Sequence, residues 1–381
     1  MYTNLPFVLF FNNMRQLLFC LIAILAYGCS NRDGYVIKGI IKNNQIPVDS
    51  GIIYLFNGDM SHADTVDIRN GKFVFKGRIE YPDLYFLMVE GSRAYSQIFL
   101  ENDKYHLIAS LDKNMDDIYI KGGENQRLYT LENEQERKIG EKYDFSALNI
   151  EFQNPGTSPD RKDEILKVFN KIQEEVKSYR RQLMNSYPLS YFTLKNLLVD
   201  VDALPVAEIE ERLAVFKSSP EFSHNSDVEA IASAIDQLKL LQPGMKAPDF
   251  IIPDRDGKDL KFSDVYKSNK ITLLDFWAGW CAPCRKVHPL LKKVYSVYHP
   301  LGFEILAVSF DSVREKWLDA IEEDGLPWLQ VSDVKHWNSI ARDLYHITYV
   351  PQYVIVNSEG IILKRKITEE ELQKFLKNYP F

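Results

Sequence analysis

Two cysteines lie only two residues apart in the C-terminal third of the chain. Cys281 and Cys284 enclose Ala282 and Pro283 and follow an apolar run, residues 271–277. Such a run predicts a buried strand, and a helix is predicted to begin after Cys281. At a helix N-terminus, unpaired backbone N–H groups and the helix dipole favour a thiolate, the form that attacks disulfides. The pair therefore predicts thiol–disulfide exchange, with Cys281 as the exposed nucleophile and Cys284 as the resolving thiol behind it.

An apolar segment near the N-terminus has the composition of a secretory leader. Residues 17–27 are apolar, follow a basic residue and end at a small residue and Cys29. The run is shorter than the ~20 residues that span a bilayer, and its layout is typical of a signal peptide. A cysteine in this place resembles a bacterial lipoprotein lipobox. We expect residues 1–29 to be leader and lipobox, with Met14 as a second candidate start; an ordinary cleaved signal and an uncleaved anchor are the alternatives.

The leader changes the number of thiols that remain available. Cys20 would be removed with the leader, and Cys29 would be blocked by its lipid, which leaves Cys281 and Cys284. A secreted fold held together by disulfides would have a larger and more dispersed set of cysteines. The close pair is therefore predicted to be reactive and not to be a structural crosslink.

The composition indicates a globular protein of two or three domains. The chain has 381 residues, of which 45% are hydrophobic and 26% charged, with a formal net charge of −7. This length exceeds the ~100–200 residues of a typical single domain. No run of basic residues appears along the sequence, so we expect no nucleic-acid partner.

The residues after the leader, 30–123, are predicted to form a β-rich domain. Apolar and polar residues alternate over 65–69 and 72–76, and Asn70-Gly71 between them is typical of a type I′ hairpin turn. Further strand-like runs follow at short spacing. This pattern predicts an antiparallel β sandwich or a barrel-like domain.

The middle of the chain, 124–242, is predicted to be helical. Residues 161–184 carry apolar side chains at the spacing of an amphipathic helix. Residues 206–216 and 228–241 have the same character. Pro243-Gly244 ends this pattern, and we place a domain boundary there.

The last part, 243–381, alternates between strand-like and helical segments. Such alternation predicts an α/β domain with a central sheet. The predicted strands cover residues 271–277, 303–310, 328–331, 353–356 and 361–364, and the predicted helices follow Cys281 or cover 315–323 and 369–377.

The residues around the cysteine pair resemble a known active site. The sequence LDFWAGWCAPC over residues 274–284, with Pro289 five residues later, is similar to the thioredoxin active site. The stretches GMKAPDF at 244–250, SFD at 309–311 and YVP at 349–351 are similar to the TlpA/ResA-like branch of that family. The resemblance covers residues 243–381. It implies a thioredoxin-like fold and a thiol-disulfide oxidoreductase with no cofactor beyond the Cys281–Cys284 disulfide.

The resemblance also implies roles for side chains near the pair. Trp280 and Pro283 would contact the substrate, and Val350-Pro351 would be the cis-proline bond whose loop offers backbone groups to an extended substrate. From the sequence alone, Pro351 is a turn or edge residue. Asp275 would be the buried acid that relays a proton to Cys284, because burial in an apolar strand raises a carboxyl pKa. The alternative is a solvent-facing aspartate at a strand end.

One position departs from the TlpA/ResA-like pattern. Many of those domains carry a glutamate three residues after the second cysteine, where this chain has Val287. The proton relay is therefore expected to resemble that of thioredoxin, through Asp275. His288 follows, and we expect it to pack against its neighbours or to face solvent.

Other types of site fit the sequence less well. A haem attachment site needs a histidine directly after the second cysteine, where Arg285 stands. A structural zinc site needs four ligands, and the pair with His288 supplies three, so no metal is expected. A peroxidase would centre on one cysteine. The remaining rival is an envelope binding or scaffold lipoprotein whose N-terminal domains recognise a partner, with redox chemistry secondary.

Taken together, these patterns predict a thiol-disulfide oxidoreductase of the bacterial cell envelope. It would be anchored through Cys29 on the periplasmic side and would act as a reductase on protein thiols and disulfides. A reductase outside the cytosol needs a source of electrons, which we expect to be a membrane thiol carrier. Loss of function on Cys281→Ser would favour the enzyme, and partner binding retained in that variant would favour the binding protein.

Overall fold

The computed structural model describes residues 34–58, 60–92, 95–113 and 118–381. The predicted leader and the predicted lipid site Cys29 lie outside these residues. The chain folds into two compact units, with the division after Lys195. Within the described residues, no helix combines the length and apolarity that crossing a bilayer requires.

The first unit contains one large β-sheet, as predicted for this part of the chain. Its strands follow the order β7-β6-β3-β4-β5-β1-β8-β9, with β2 paired to β1, and form a nearly closed, barrel-like sheet. All neighbours are antiparallel except β1 and β8, which pair in parallel, so the expected antiparallel pattern is wrong at that point. The strands are β1 (Tyr35–Asn43), β2 (Ile46–Pro47), β3 (Ser50–Phe56), β4 (Asp64–Arg69), β5 (Lys72–Gly77), β6 (Asp83–Val89), β7 (Tyr95–Leu100), β8 (Lys104–Ser110) and β9 (Tyr119–Lys121).

The turn between β4 and β5 shows how local sequence sets this sheet. Asn70 and Gly71 both have positive φ, 50° and 73°, as a type I′ turn requires. A side chain at Gly71 would lie 2.9 Å from the carbonyl oxygen of Ile41. The predicted hairpin is therefore confirmed, and glycine is needed there for both conformation and space.

Helices complete the first unit, again as predicted. The longest carries the apolar stripe seen in the sequence and buries Ile165 and Ile172. It begins at Pro159, after Ser158, whose hydroxyl accepts a hydrogen bond from the Arg161 N–H and so satisfies a free donor of the first turn. The helices are α1 (Glu124–Lys142), α2 (Phe145–Gln153), α3 (Pro159–Ser186) and α4 (Tyr191–Val199), the last of which spans the division between the units.

The second unit is a thioredoxin-like α/β domain preceded by two helices. Its five-stranded sheet has the order β14-β13-β12-β15-β16, with β12 parallel to β13 and antiparallel to β15. A separate two-stranded sheet pairs β10 with β11. The elements are α5 (Val206–Ser218), α6 (Ser226–Leu240), β10 (Ile251–Pro253), β11 (Asp259–Lys261), α7 (Phe262–Lys267), β12 (Ile271–Trp277), α8 (Ala282–Tyr298), β13 (Phe303–Ser309), α9 (Arg314–Asp324), β14 (Leu329–Val331), α10 (Ile340–Tyr345), β15 (Gln352–Asn357), β16 (Ile362–Arg365) and α11 (Glu369–Asn378).

The central strand β12 explains the apolar run that precedes the cysteines. All seven of its residues are buried, because the sheet is covered on both faces. Leu273 and Trp277 pack in a core with residues of α8, α9 and α11. Leu274 and Phe276 pack in a second core with residues of α7 and α10. The end of β12 is thereby held between two layers of helices, and the cysteine pair follows it directly.

Candidate active site

The two cysteines form a disulfide at the beginning of α8. The sulfur atoms are 2.04 Å apart. Cys281 is the residue directly before the helix, and its Sγ accepts a hydrogen bond from the Cys284 N–H at 3.2 Å. When the pair is reduced, this donor and the helix dipole stabilise a thiolate on Cys281. Pro283 lies in the first turn of α8, where a proline costs no hydrogen bond.

The exposure of the two sulfur-bearing residues differs less than the sequence suggested. Cys281 is 4% exposed and Cys284 is 2% exposed, so the expectation of a freely exposed first cysteine is wrong for the disulfide form. The reason is the neighbouring loop, because the carbonyl oxygen of Val350 lies 3.8 Å from Cys281 Sγ. A substrate disulfide must therefore reach Cys281 at the edge of this loop.

The loop beside Cys281 contains the predicted cis-proline. The Val350–Pro351 peptide bond is cis, and both residues are partly buried. The bond precedes β15, which is antiparallel to β12, so its loop and the start of α8 lie at the same end of the sheet. The structure thus brings Val350 and Pro351 together with the cysteine pair.

Asp275 is buried in the middle of β12. It is 1% exposed, and neither carboxylate oxygen has a hydrogen-bond partner. Burial raises its pKa to about 7, with a further contribution from the negative charge of Glu369. Its cross-strand neighbour is Tyr353, whose hydroxyl lies 3.5 Å from Glu369 Oε1. A carboxyl with this pKa can take up or release a proton near neutral pH.

The loop between β12 and Cys281 is fixed by a buried aspartate to which the sequence alone assigned no role. Asp311 accepts hydrogen bonds from the Gly279 N–H and from the Ser309 hydroxyl, at 2.8 and 2.7 Å. A side chain at Gly279 would approach Ala320 Cβ to 3.1 Å and Asp311 Oδ1 to 3.3 Å. The Ser-x-Asp spacing after β13 is the sequence signal for this anchor.

An ion-pair cluster holds the outer side of α8. Arg285 donates to both oxygens of Asp324, at 2.7 and 3.0 Å. His288 Nδ1 lies 2.7 Å from the same carboxylate, and its ring is buried against Trp277. Burial lowers the pKa of His288 despite Asp324, so the imidazole is neutral at neutral pH. His288 thus packs in the core, which is one of the two expected outcomes.

Trp280 provides an exposed aromatic surface beside the pair. It is 51% exposed, and its ring lies 5.6 Å from that of His336 and 6.2 Å from that of Trp337. A groove of about 350 Å³ adjoins it. His336 and Trp337 were not predicted as site residues. The only sequence feature that could have indicated them is that these two aromatic residues are adjacent. Residues lining the groove include Gly279, Arg285, Asp311, Val313, Lys316 and Glu323.

No group of three or more potential metal ligands occurs within the described residues. The polar groups that converge on the site are the two sulfurs, the Val350 carbonyl and the helix N-terminus. This set fits disulfide exchange, which needs a stabilised thiolate and a second thiol within bonding distance.

The two units match two different families. Residues 243–365 match the AhpC/TSA family, and residues 35–129 match a domain of unknown function, DUF4369. The thiol-disulfide oxidoreductase ResA of Bacillus thuringiensis (strain Al Hakam) is 29% identical over 140 residues, which are 36% of this chain and 78% of ResA.

Two of the solved structures with similar domains come from Bacteroides species. A thiol-disulfide oxidoreductase from Bacteroides fragilis is 35% identical over 35% of this chain and 97% of its own, with a TM-score of 0.33. The thioredoxin domain of a Bacteroides vulgatus thiol-disulfide oxidoreductase is 33% identical over 36% of this chain and 99% of its own, also with a TM-score of 0.33.

Proposed function

The C-terminal domain of this chain belongs to the AhpC/TSA family and to the thiol-disulfide oxidoreductases, and we propose that it reduces disulfide bonds in other proteins. The observation that carries this proposal is the Cys281–Cys284 disulfide at the start of α8, beside the cis-proline loop. The direction of electron flow is inferred from the buried acid Asp275, since the site then resembles thioredoxin more than its ResA-like relatives.

The reaction proceeds through a mixed disulfide. The Cys281 thiolate attacks one sulfur of the substrate disulfide, and the other substrate sulfur leaves as a thiolate that takes up a proton. Cys284 then attacks Cys281 Sγ, which releases the second substrate sulfur and forms the Cys281–Cys284 disulfide. Two electrons pass from the enzyme to the substrate. Asp275 accepts the proton that Cys284 loses, because its pKa of about 7 suits proton exchange at neutral pH.

The groups around the sulfurs bind the substrate. Trp280, with His336 and Trp337 beside it, offers an aromatic surface, and Val350 offers a backbone carbonyl next to Cys281. Extended polypeptide chains bind to free backbone groups of this kind. Pro283 is exposed at the end of α8 that carries the cysteines. Protein disulfides in extended segments are therefore the proposed substrates.

The proposed location is the periplasmic side of the bacterial envelope. The leader-like residues 1–29 and Cys29 support an exported protein held on a membrane by a lipid. Electrons for the reductase would come from a membrane thiol carrier, since cytosolic reductants do not reach that compartment.

One experiment tests both the reaction and the location. The Cys284→Ser variant keeps the nucleophile and removes the resolving thiol, so it should accumulate mixed disulfides through Cys281 in living cells. The adducts should be found in the membrane fraction and should stay there in a high-salt wash, whereas a high-salt wash should release them when Cys29→Ser is added. The Cys281→Ser/Cys284→Ser variant is the matched control. If Cys284→Ser forms no more adducts than this control, the exchange reaction is refuted.

A further inference from the structure

One face of the β-sheet in the first unit carries an unusual set of charges. In β5, β1, β8 and β9 every second side chain is buried, among them Ile37, Phe75 and Leu107. The intervening side chains share the opposite face, because successive residues of a strand point to opposite sides. Six lysines occupy this face, and we call it the lysine face: Lys38, Lys42, Lys72, Lys76, Lys104 and Lys121.

The strand register brings these lysines to diagonal or next-but-one positions on the sheet, although no two of them are directly opposite. Val36 is paired with Lys76 on one side and with Lys104 on the other. Lys38 is paired with His106, and His106 is paired with Lys121. The lysines are far apart in the sequence and become neighbours only through the sheet.

The lysine face contains no compensating negative charge. The four strands include no aspartate or glutamate, although the whole chain has 53 acidic residues and a net charge of −7. Within the part of the chain that the structure describes, none of the six lysines has a carboxylate partner. Like charges that lie close together repel one another, so this arrangement lowers stability unless an anionic partner covers it.

Apolar side chains lie between the lysines. Val74, Ile108 and Tyr119 are exposed on the same face, and Ile108 and Tyr119 are cross-strand neighbours. Long lysine side chains beside exposed aliphatic and aromatic groups suit the boundary between lipid headgroups and acyl chains, where the stems contact apolar groups and the ammonium groups reach phosphates.

We propose that the lysine face docks on the surface of an anionic phospholipid bilayer. The charge of the face complements phosphates, and its apolar residues would contact the acyl boundary. β1 begins at Tyr35, six residues after Cys29, so a lipid on Cys29 would hold this strand within about 20 Å of the bilayer. The docking itself does not depend on that lipid, nor on the redox site, whose residues all belong to the second unit.

Vesicle binding by the chain from residue 30 to 381 tests this inference, since this chain keeps every described residue. We expect it to float with vesicles of phosphatidylcholine mixed with phosphatidylglycerol and not with phosphatidylcholine alone. Added salt should weaken the binding, because it screens exposed charges. The Lys38→Gln/Lys76→Gln variant should bind the anionic vesicles about thirtyfold more weakly, at about fivefold per lysine.

The matched control is Lys138→Gln/Lys167→Gln, which removes the same charge from exposed positions on α1 and α3. It should bind as the unchanged chain does, and neither variant should unfold at a lower temperature than the unchanged chain. Absence of binding to the anionic vesicles would overturn the proposal. So would an equal loss in the control, equal binding to both kinds of vesicle, or self-association of the chain in place of vesicle binding.

Discussion

At the scale of single residues, the most informative group is Asp275. Its carboxylate is buried without a hydrogen bond, and a charge in such a place costs free energy. The folded pKa of about 7 lies above the ordinary value of 3.8, so the folded chain keeps a proton that the unfolded chain has released. The stability contributed by this group is therefore complete below about pH 4 and decreases as the pH rises to about 7.

Because the stability contributed by Asp275 decreases as the pH rises, replacing Asp275 with asparagine should change the pH dependence of unfolding. The variant cannot ionise, so its free energy of unfolding should exceed that of the unchanged chain by about 4 kcal/mol at pH 8 and by little at pH 4. Urea denaturation of the oxidised protein between pH 4 and pH 9 measures the difference. A difference that does not depend on pH would contradict the assignment of the raised pKa to Asp275.

Glu369 offers a finer control of the same group. Its negative charge adds to the pKa of Asp275, so Glu369→Gln should move the pH dependence of stability to lower pH. Glu370→Gln, one residue further along α11 and exposed, should leave it in place. Equal shifts in both variants would show that only the net charge matters.

The sequence predicted some residues of the site and not others. The cysteines, Asp275 and Pro351 belong to short local patterns; the structure places the cysteines and Pro351 at one end of the sheet and Asp275 inside β12, the strand that leads to them. Asp311 and Glu369 reach the site from distant elements. The Ser-x-Asp spacing marks Asp311 as a local anchor but does not indicate its bond to Gly279, and nothing in the sequence around Glu369 indicates its effect on Asp275, because both depend on how the strands and helices pack.

At the scale of elements, the cis-proline loop is tied to a turn that follows α4. Asp202 accepts a hydrogen bond from the Thr348 hydroxyl at 2.7 Å. Its carboxylate and its backbone oxygen also accept from Lys366 Nζ, at 3.0 and 2.6 Å. Burial lowers the pKa of Lys366 although Asp202 counteracts this effect. The Asp202 carboxylate thus connects two segments, the one before β15 and the one after β16, to the helical part of the second unit.

We therefore expect Asp202→Asn to loosen the loop beside Cys281. Loss of the carboxylate leaves Lys366 without its charged partner, and breaking such a pair costs about 3 kcal/mol. Backbone amide hydrogen exchange should become faster in residues 346–351, and the enzyme should reduce substrate disulfides more slowly. Asp236→Asn, an exposed change on α6, is the control. Unchanged exchange in residues 346–351 would contradict this role for Asp202.

Helices and strands could be predicted where a short stretch of sequence has the pattern of one element. The run at β12 and the apolar stripe of α3 predicted a strand and a helix that the structure confirms. The strand β1 pairs in parallel with β8, which follows it only after a long connection. Short-range patterns do not specify such a partner.

At the scale of the whole molecule, the chain combines two units with separate properties. The second contains the redox site, and the first carries the lysine face. The absence of a basic run in the sequence concealed that face, because its lysines are spread over four separate strands. The helices α5 and α6 lie in the same compact unit as the redox site, so the predicted boundary at residue 243 stays a prediction.

The reduction potential of the Cys281–Cys284 couple tests the central claim most directly. The chain from residue 30 to 381 would be equilibrated in graded thiol and disulfide buffers, and the free thiols would be counted. A reductase predicts full, reversible cycling with a potential near or below that of thioredoxin, about −270 mV. A value near about −120 mV, typical of a strong oxidant, or a pair that never cycles would contradict the account.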